Sequence, residues 1–261
     1  MALRLYANSL SPFVRKVRIT LYEKGVDFDA VEIERGAQRV ELLRVNPRGE
    51  VPALADGDVV VTGSSTICDY VEERFPRPPL LPSEPSARAR CRTLEHVADT
   101  HTDALQFLTF LVAVRRPELR AEYPEVAPAL SAAIGRHWAA LETQLGARDY
   151  FVDELSRADI ALLPHVTSLG HLGEPVPEAC ASLRTWLDRM GGRPSVRRDG
   201  AQALGAWERA TTSADPFFRA DRIHWRGERV EWAVRLGLGD WLAREVAAGR
   251  AYFSSPAGEG W

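Results

Sequence analysis

Residues 76–86, PRPPLLPSEPS, hold five prolines in eleven positions. Proline offers no backbone donor and fixes its own φ, so this run can be neither the interior of a helix nor a central strand. It reads as a linker, and the sequence on its two sides follows different patterns. Before it, strand and helix signals alternate; beyond it, only helical spacing appears. With 261 residues, of which 45% are apolar, the chain can build a substantial core on either side of such a joint.

Upstream, LRLYA is a short apolar run that ends in Asn8, Ser9 and Ser11, followed by Pro12. From there Phe13, Val17, Thr20, Leu21 and Lys24 recur at helical spacing, and Gly25 stands where a C-terminal cap belongs. VDFDAVEIE then alternates in strand fashion, and Gln38 to Val45 is compatible with a helix. Two short strands, VPALADG and DVVVTG, meet at Asp56, Gly57 and Asp58, a hairpin turn sequence. SSTICDYVEERF places Ile67, Tyr70, Val71 and Phe75 at helical spacing. The predicted order is β-α-β-α-β-β-α.

Downstream, Leu94, Val97, Ala98, His101, Leu105, Leu108 and Val112 form one helical stripe, and Leu130, Ile134, His137, Trp138, Leu141 and Leu145 another. A third helix begins at SRAD, where Ser156 and Asp159 stand at the spacing of a capping box. The closing segment is rich in tryptophan, at Trp207, Trp225, Trp232, Trp241 and Trp261, with helical stretches at ERVEWAVRL and GDWLAREVAAG. It reads as a folded appendage. Its indoles either pin extra helices to the body or wall a cleft for apolar, planar molecules.

A net charge of -3 and a pI near 6.1 give no positive field for nucleic acid. The N-terminus lacks the apolar core of a secretory signal, and no stretch approaches the roughly 18 apolar residues that crossing a bilayer requires. Cys68, Cys91 and Cys180 are odd in number and form no CxxC pair. A cytoplasmic protein acting on neither membrane nor nucleic acid is expected. The histidines show no metal-ligand spacing, so no metal is expected.

Three motifs in order, SPFVRKVRITLYEKG, NPRGEVPAL and GSSTICDYVEERFP, together with SRADIALLPHV, resemble the cytosolic glutathione S-transferase superfamily, in its serine-type branches, tau-like, zeta-like or bacterial. The resemblance spans residues 2 to 200. It implies a thioredoxin-like glutathione-binding domain over 1–78 and an all-helical bundle domain over 87–205, with residues 206–261 a helical C-terminal extension. It also implies a homodimer, with glutathione as co-substrate in detoxification of an electrophilic small molecule.

By the same resemblance Ser11 activates the thiol, and glutathione is held by Ser11, Phe13, Glu50, Val51, Pro52, Ser64 and Ser65. Pro52 matches the family's cis-proline, which leaves the backbone of Val51 to pair with the cysteinyl residue. The chemistry is sufficient: an ordinary thiol has a pKa of about 8.5, lowering it by about two units takes roughly 2.7 kcal/mol, and one hydrogen bond to a charged group contributes about 1.5–3 kcal/mol. Ser11 precedes Pro12 and therefore sits at a helix N-cap, where the dipole adds a little more. Capping alone is the competing role for Ser11, and Ser9 and Tyr6 are rival hydroxyls. At Gly63 the family carries an acidic or amide side chain that meets the glutathione amino group, and this chain has none. Thiol conjugation, glutathione-dependent isomerisation and a non-catalytic binding protein of the same fold all remain open.

Overall fold

The computed structural model describes residues 3–33, 37–212 and 223–253. The first region consists of β1 (Leu3–Ala7), α1 (Pro12–Glu23), β2 (Phe28–Glu32), α2 (Ala37–Val45), β3 (Ala53–Asp56), β4 (Val59–Thr62) and α3 (Ser64–Arg74), in the expected order. The sheet runs β2-β1-β3-β4; β1 is parallel to β2 and antiparallel to β3, and β3 is antiparallel to β4. This is the thioredoxin-like arrangement. Strand alternation divides its two faces. Leu3, Leu5 and Ala7 pack with Val14, Val17 and Leu21 of α1 and Ile67, Cys68 and Val71 of α3. Tyr6 turns the other way, toward Ile33, Ala53 and Leu42 of α2.

The register aligns three chain segments at one end of the sheet. Tyr6 lies opposite Ala53, and Ala53 opposite Thr62. The loop leaving β1, the cis peptide Val51-Pro52 that precedes β3, and Gly63 at the exit from β4 therefore share that end.

The helical region begins with α4 (Pro85–Val97) and α5 (Asp103–Phe110), joined through a π-type turn at Ala98–Thr102 and ending in another at Leu111–Arg115. Then follow α6 (Leu119–Glu122), α7 (Val126–Leu145), α8 (Arg157–His171), α9 (Ala181–Gly191) and α10 (Pro194–Thr212). The second apolar stripe read from the sequence, Leu130 to Leu145, is buried along its whole length in α7. The Ser156–Asp159 capping box opens α8, and Asp159 accepts further hydrogen bonds from Phe151 N at 3.1 Å and Trp186 Nε1 at 2.9 Å. One carboxylate thus ties the start of α8 to α9. Burial raises its pKa.

The C-terminal segment differs from a simple appendage. It forms β5 (Ile223–Trp225), α11 (Gly227–Arg235), α12 (Gly239–Ala247) and β6 (Ala251–Phe253), with β5 and β6 paired in parallel. Ile223, Trp225, Leu238 and Trp241 belong to the same buried cluster as Leu105, Leu108 and Trp138 of the helical body. The division at residue 205 falls inside α10. Of the tryptophans singled out, Trp225 and Trp241 are buried with ring centroids 6.0 Å apart, Trp232 is partly buried, Trp207 is exposed on α10, and Trp261 lies outside the described residues. Among the described residues no helix is long and apolar enough to cross a membrane.

Two buried histidines make stability pH-dependent. Burial holds the imidazole of His137 down to about 3 and that of His165 down to about 4. In the unfolded chain both titrate near 6.5. Below that pH the unfolded state binds protons that the folded state refuses, so the contribution is complete above about 6.5 and is lost as pH falls, toward 4 for His165 and toward 3 for His137. At about 1.4 kcal/mol per pH unit per group, lowering pH from 7.5 to 5 should remove about 4 kcal/mol from both together. Denaturant midpoints measured across that interval check this; a flat profile would show that neither ring is held neutral.

Candidate functional site

At the shared end of the sheet the chain turns tightly before α1. Leu10 N donates to Asn8 Oδ1 at 3.0 Å and Ser11 N to Asn8 O at 2.9 Å. Ser11 is the N-cap residue, with φ -72 and ψ 122, and Pro12 occupies the first helical position. Its hydroxyl makes no capping bond. The carbonyl, not the side chain, joins the helix, by accepting from Arg15 N at 3.0 Å. Ser11 is half-buried, and its side chain takes no part in capping the helix.

The two rival hydroxyls are already engaged. Tyr6 donates to Glu41 Oε1 at 2.9 Å on the α2 side of the sheet, and burial, with that carboxylate, raises its pKa. Ser9 donates to Glu32 Oε2 at 2.9 Å and accepts from Arg18 Nη1 at 2.7 Å.

The second motif is a loop built on buried Asn46, whose Nδ2 donates to Glu50 O at 2.9 Å and whose Oδ1 accepts from Arg48 N at 3.2 Å. That loop delivers the chain to the cis peptide. The side chain of Glu50 is gripped by Arg48 at 3.0 and 3.1 Å, and His224 Nε2 of the C-terminal segment lies 3.5 Å from it.

At the third motif Ser64 is the first residue of α3 and is buried. Gly63 is the N-cap, at φ 83 and ψ 125. Space does not explain this glycine, because a Cβ there would meet nothing closer than Thr66 Oγ1 at 3.6 Å. The left-handed φ does, since side chains with a Cβ rarely adopt it. The Ser65 hydroxyl is engaged within the protein. It accepts from Lys16 Nζ at 2.9 Å and donates to Asp99 Oδ2 at 2.7 Å.

Lys16 is itself buried, and also donates to Asp99 at 2.6 Å and Glu95 at 3.1 Å. Burial alone would push its ammonium down, but those two carboxylates hold its pKa above the usual value. Arg157 of α8 completes the cluster through Glu95 at 2.7 and 2.9 Å. Beside it Cys68 is fully buried, and burial raises its thiol to about 11, which makes it inert packing. His101 sits half-buried between the rings of His137 at 4.9 Å and Trp232 at 5.0 Å. It belongs to the packing of α11 against the helical body.

Phe13 lies in the first turn of α1. Its ring meets the edge of buried His165, centroids 5.7 Å apart, and the Arg226 guanidinium lies 4.6 Å from its centroid. Sequence reasoning missed His224, Arg226 and Arg229. A signal was available in IHWRGER, where cationic residues crowd around one tryptophan.

Comparisons with known proteins agree with this layout. Residues 5–79 match the glutathione S-transferase N-terminal domain and residues 101–194 the glutathione S-transferase C-terminal domain. A stringent starvation protein A homolog from Coxiella burnetii is 31% identical over 178 residues, 68% of this chain and 80% of that one. Glutathione S-transferase Z1 of Arabidopsis thaliana is 32% identical over 170 residues, 63% of this chain and 76% of that one. The crystal structure of a glutathione S-transferase from Rhodospirillum rubrum superimposes with a TM-score of 0.66 at 29% identity, covering 76% of this chain and 91% of that one.

Proposed function

Because the chain belongs to the cytosolic glutathione S-transferase superfamily, we propose that it binds glutathione at the sheet end shared by Ser11, Val51-Pro52 and Ser64, and adds the thiolate to a small electrophile. One observation carries this reading: Ser11 caps α1 through its backbone alone, so its hydroxyl is left to donate to a sulfur anion. The dipole of α1 favours that charge further. Val51, turned by the cis peptide, pairs its backbone with the cysteinyl residue. Ser64 and the free N–H groups of the first turn of α3 take the γ-glutamyl carboxylate. Phe13 and Glu50 border the tripeptide, while Ser65 serves through its place in the interdomain network. We place the reaction in the cytoplasm, where three buried, unpaired cysteines stay reduced, and assign the homodimer of the family.

The test is thermal unfolding with and without glutathione. At a ligand concentration of about 100 Kd, binding stabilises the folded state by about 2.7 kcal/mol, which for a domain of this size raises Tm by about 5–10 °C. No shift at millimolar glutathione would turn the assignment to a second reading, a non-catalytic binding protein. Gly63 favours that alternative, because no side chain there meets the glutathione amino group. Where glutathione does bind, its consumption separates conjugation from isomerisation, which regenerates it.

A further inference from the structure

The segment from His224 to Arg229 reaches three separate parts of the molecule. His224 approaches Glu50 beside the cis peptide at 3.5 Å, Arg226 covers the ring of Phe13 at 4.6 Å, and Arg229 grips Asp103 of α5 with two hydrogen bonds of 2.8 Å. It thus bridges the thioredoxin-like domain and the helical body directly over the start of α1. Buried anchors flank Arg226. On one side Trp225 is 1% exposed and packs edge-on against Phe107, with centroids 5.3 Å apart. On the other the Arg229 guanidinium lies 4.1 Å from the Phe107 centroid, and its partner Asp103 is 2% exposed.

The charges around Arg226 are matched in pairs, apart from its own. Glu50 has Arg48, and Asp103 has Arg229. Burial keeps the neighbouring imidazole of His224 neutral, with its pKa pushed down to about 4 although Glu50 pulls it up. Among the described residues no carboxylate lies within ion-pair distance of Arg226; it faces an aromatic ring, two residues from Ser11. An exposed guanidinium over the Phe13 ring in the first turn of α1, with its donors unspent on described carboxylates, suits a planar bidentate anion.

We propose that Arg226 is a ligand-binding residue of this site: its guanidinium takes a carboxylate of a molecule bound against Ser11, so the C-terminal extension selects ligands by charge. This rests on the glutathione reading above. The carboxylate has two possible sources, the glycyl end of glutathione or an acid group on the electrophile.

The full-length chain, Arg226→Gln and Arg226→Lys test this. Calorimetry compares glutathione with its glycyl ethyl ester, and steady-state kinetics compare neutral 1-chloro-2,4-dinitrobenzene with 4-chloro-3,5-dinitrobenzoate. If the glycyl end is the partner, wild type binds glutathione about tenfold more tightly than the ester, and Arg226→Gln abolishes that ratio. If the electrophile is the partner, glutathione affinity is unchanged, and Arg226→Gln lowers kcat/KM for the benzoate about tenfold relative to the neutral compound. In either case Arg226→Lys keeps part of the discrimination. Wild type that binds glutathione while Arg226→Gln leaves both ratios intact, or lowers every rate equally, overturns the assignment of Arg226 alone. Wild type that binds no glutathione overturns it together with the reading beneath it.

Discussion

Ser11→Ala is expected to lower kcat/KM for thiol addition by about 10–100-fold at pH 7, the equivalent of one hydrogen bond to an anion. Without that donor the bound thiol returns toward its ordinary pKa of about 8.5, so the loss should shrink as pH rises and the pH–rate profile should shift to alkaline values. The ultraviolet absorbance of the thiolate in the binary complex reports the same shift directly. Removing an N-cap side chain usually costs about 1 kcal/mol of stability. Here the Ser11 side chain makes no capping bond, so the variant should unfold at the wild-type midpoint. An unchanged profile would move the activating role elsewhere, and the structure leaves few alternatives, because Tyr6 and Ser9 already donate to Glu41 and Glu32.

The second large effect falls on stability. Asp199 of α10 is 0% exposed and accepts from Arg15 Nε at 2.8 Å and Arg18 Nε at 2.7 Å, both on α1. Arg18 continues to Ser9, and Ser9 to Glu32, so one carboxylate fixes the face of α1 turned toward the helical body as well as the loop that precedes Ser11. Asp199→Ala would leave two buried guanidinium groups without their counter-ion. Breaking a buried ion pair from one side costs about 3–5 kcal/mol, which for a chain of this size lowers Tm by about 8–15 °C. Asp199→Asn loses the charge and exchanges one of the two acceptor oxygens for an amide donor, keeping the other, so it should fall between wild type and Asp199→Ala. Denaturant unfolding of both variants checks the order; a wild-type midpoint for Asp199→Ala would show that this buried carboxylate contributes nothing to joining the two domains.

How much of this was legible in the sequence depends on the range of the interaction concerned. The apolar run LRLYA, the alternation in VDFDAVEIE and the turn at Asp56–Gly57–Asp58 are local signals, and they yielded the strands and the order of the first domain. The capping box at Ser156 and Asp159 is local too, and it opens α8 as expected. The stripe from Leu94 to Val112 marked a helical rod, but its π-type turns, which shift the register of the buried face, have no such signature. Charged residues were the hardest to read. Arg15, Lys16 and Arg18 look like a solvated helix face, yet each is buried because its partner arrives from far along the chain, at Asp199, Asp99 or Glu95. The partners of Ser65 were equally illegible, since nothing near it in sequence announces Lys16 and Asp99.

The shared core of the C-terminal segment limits how this chain can change length. Trp225 and Trp241 fill space against Phe107 and the helical body, so a protein cut before residue 223 would open a void lined with aromatic and aliphatic walls, not merely lose a flap. A shorter descendant would have to grow bulkier residues along α5 at the same time as it shed its tail, and single-step truncation would be purged through misfolding before selectivity could be tested.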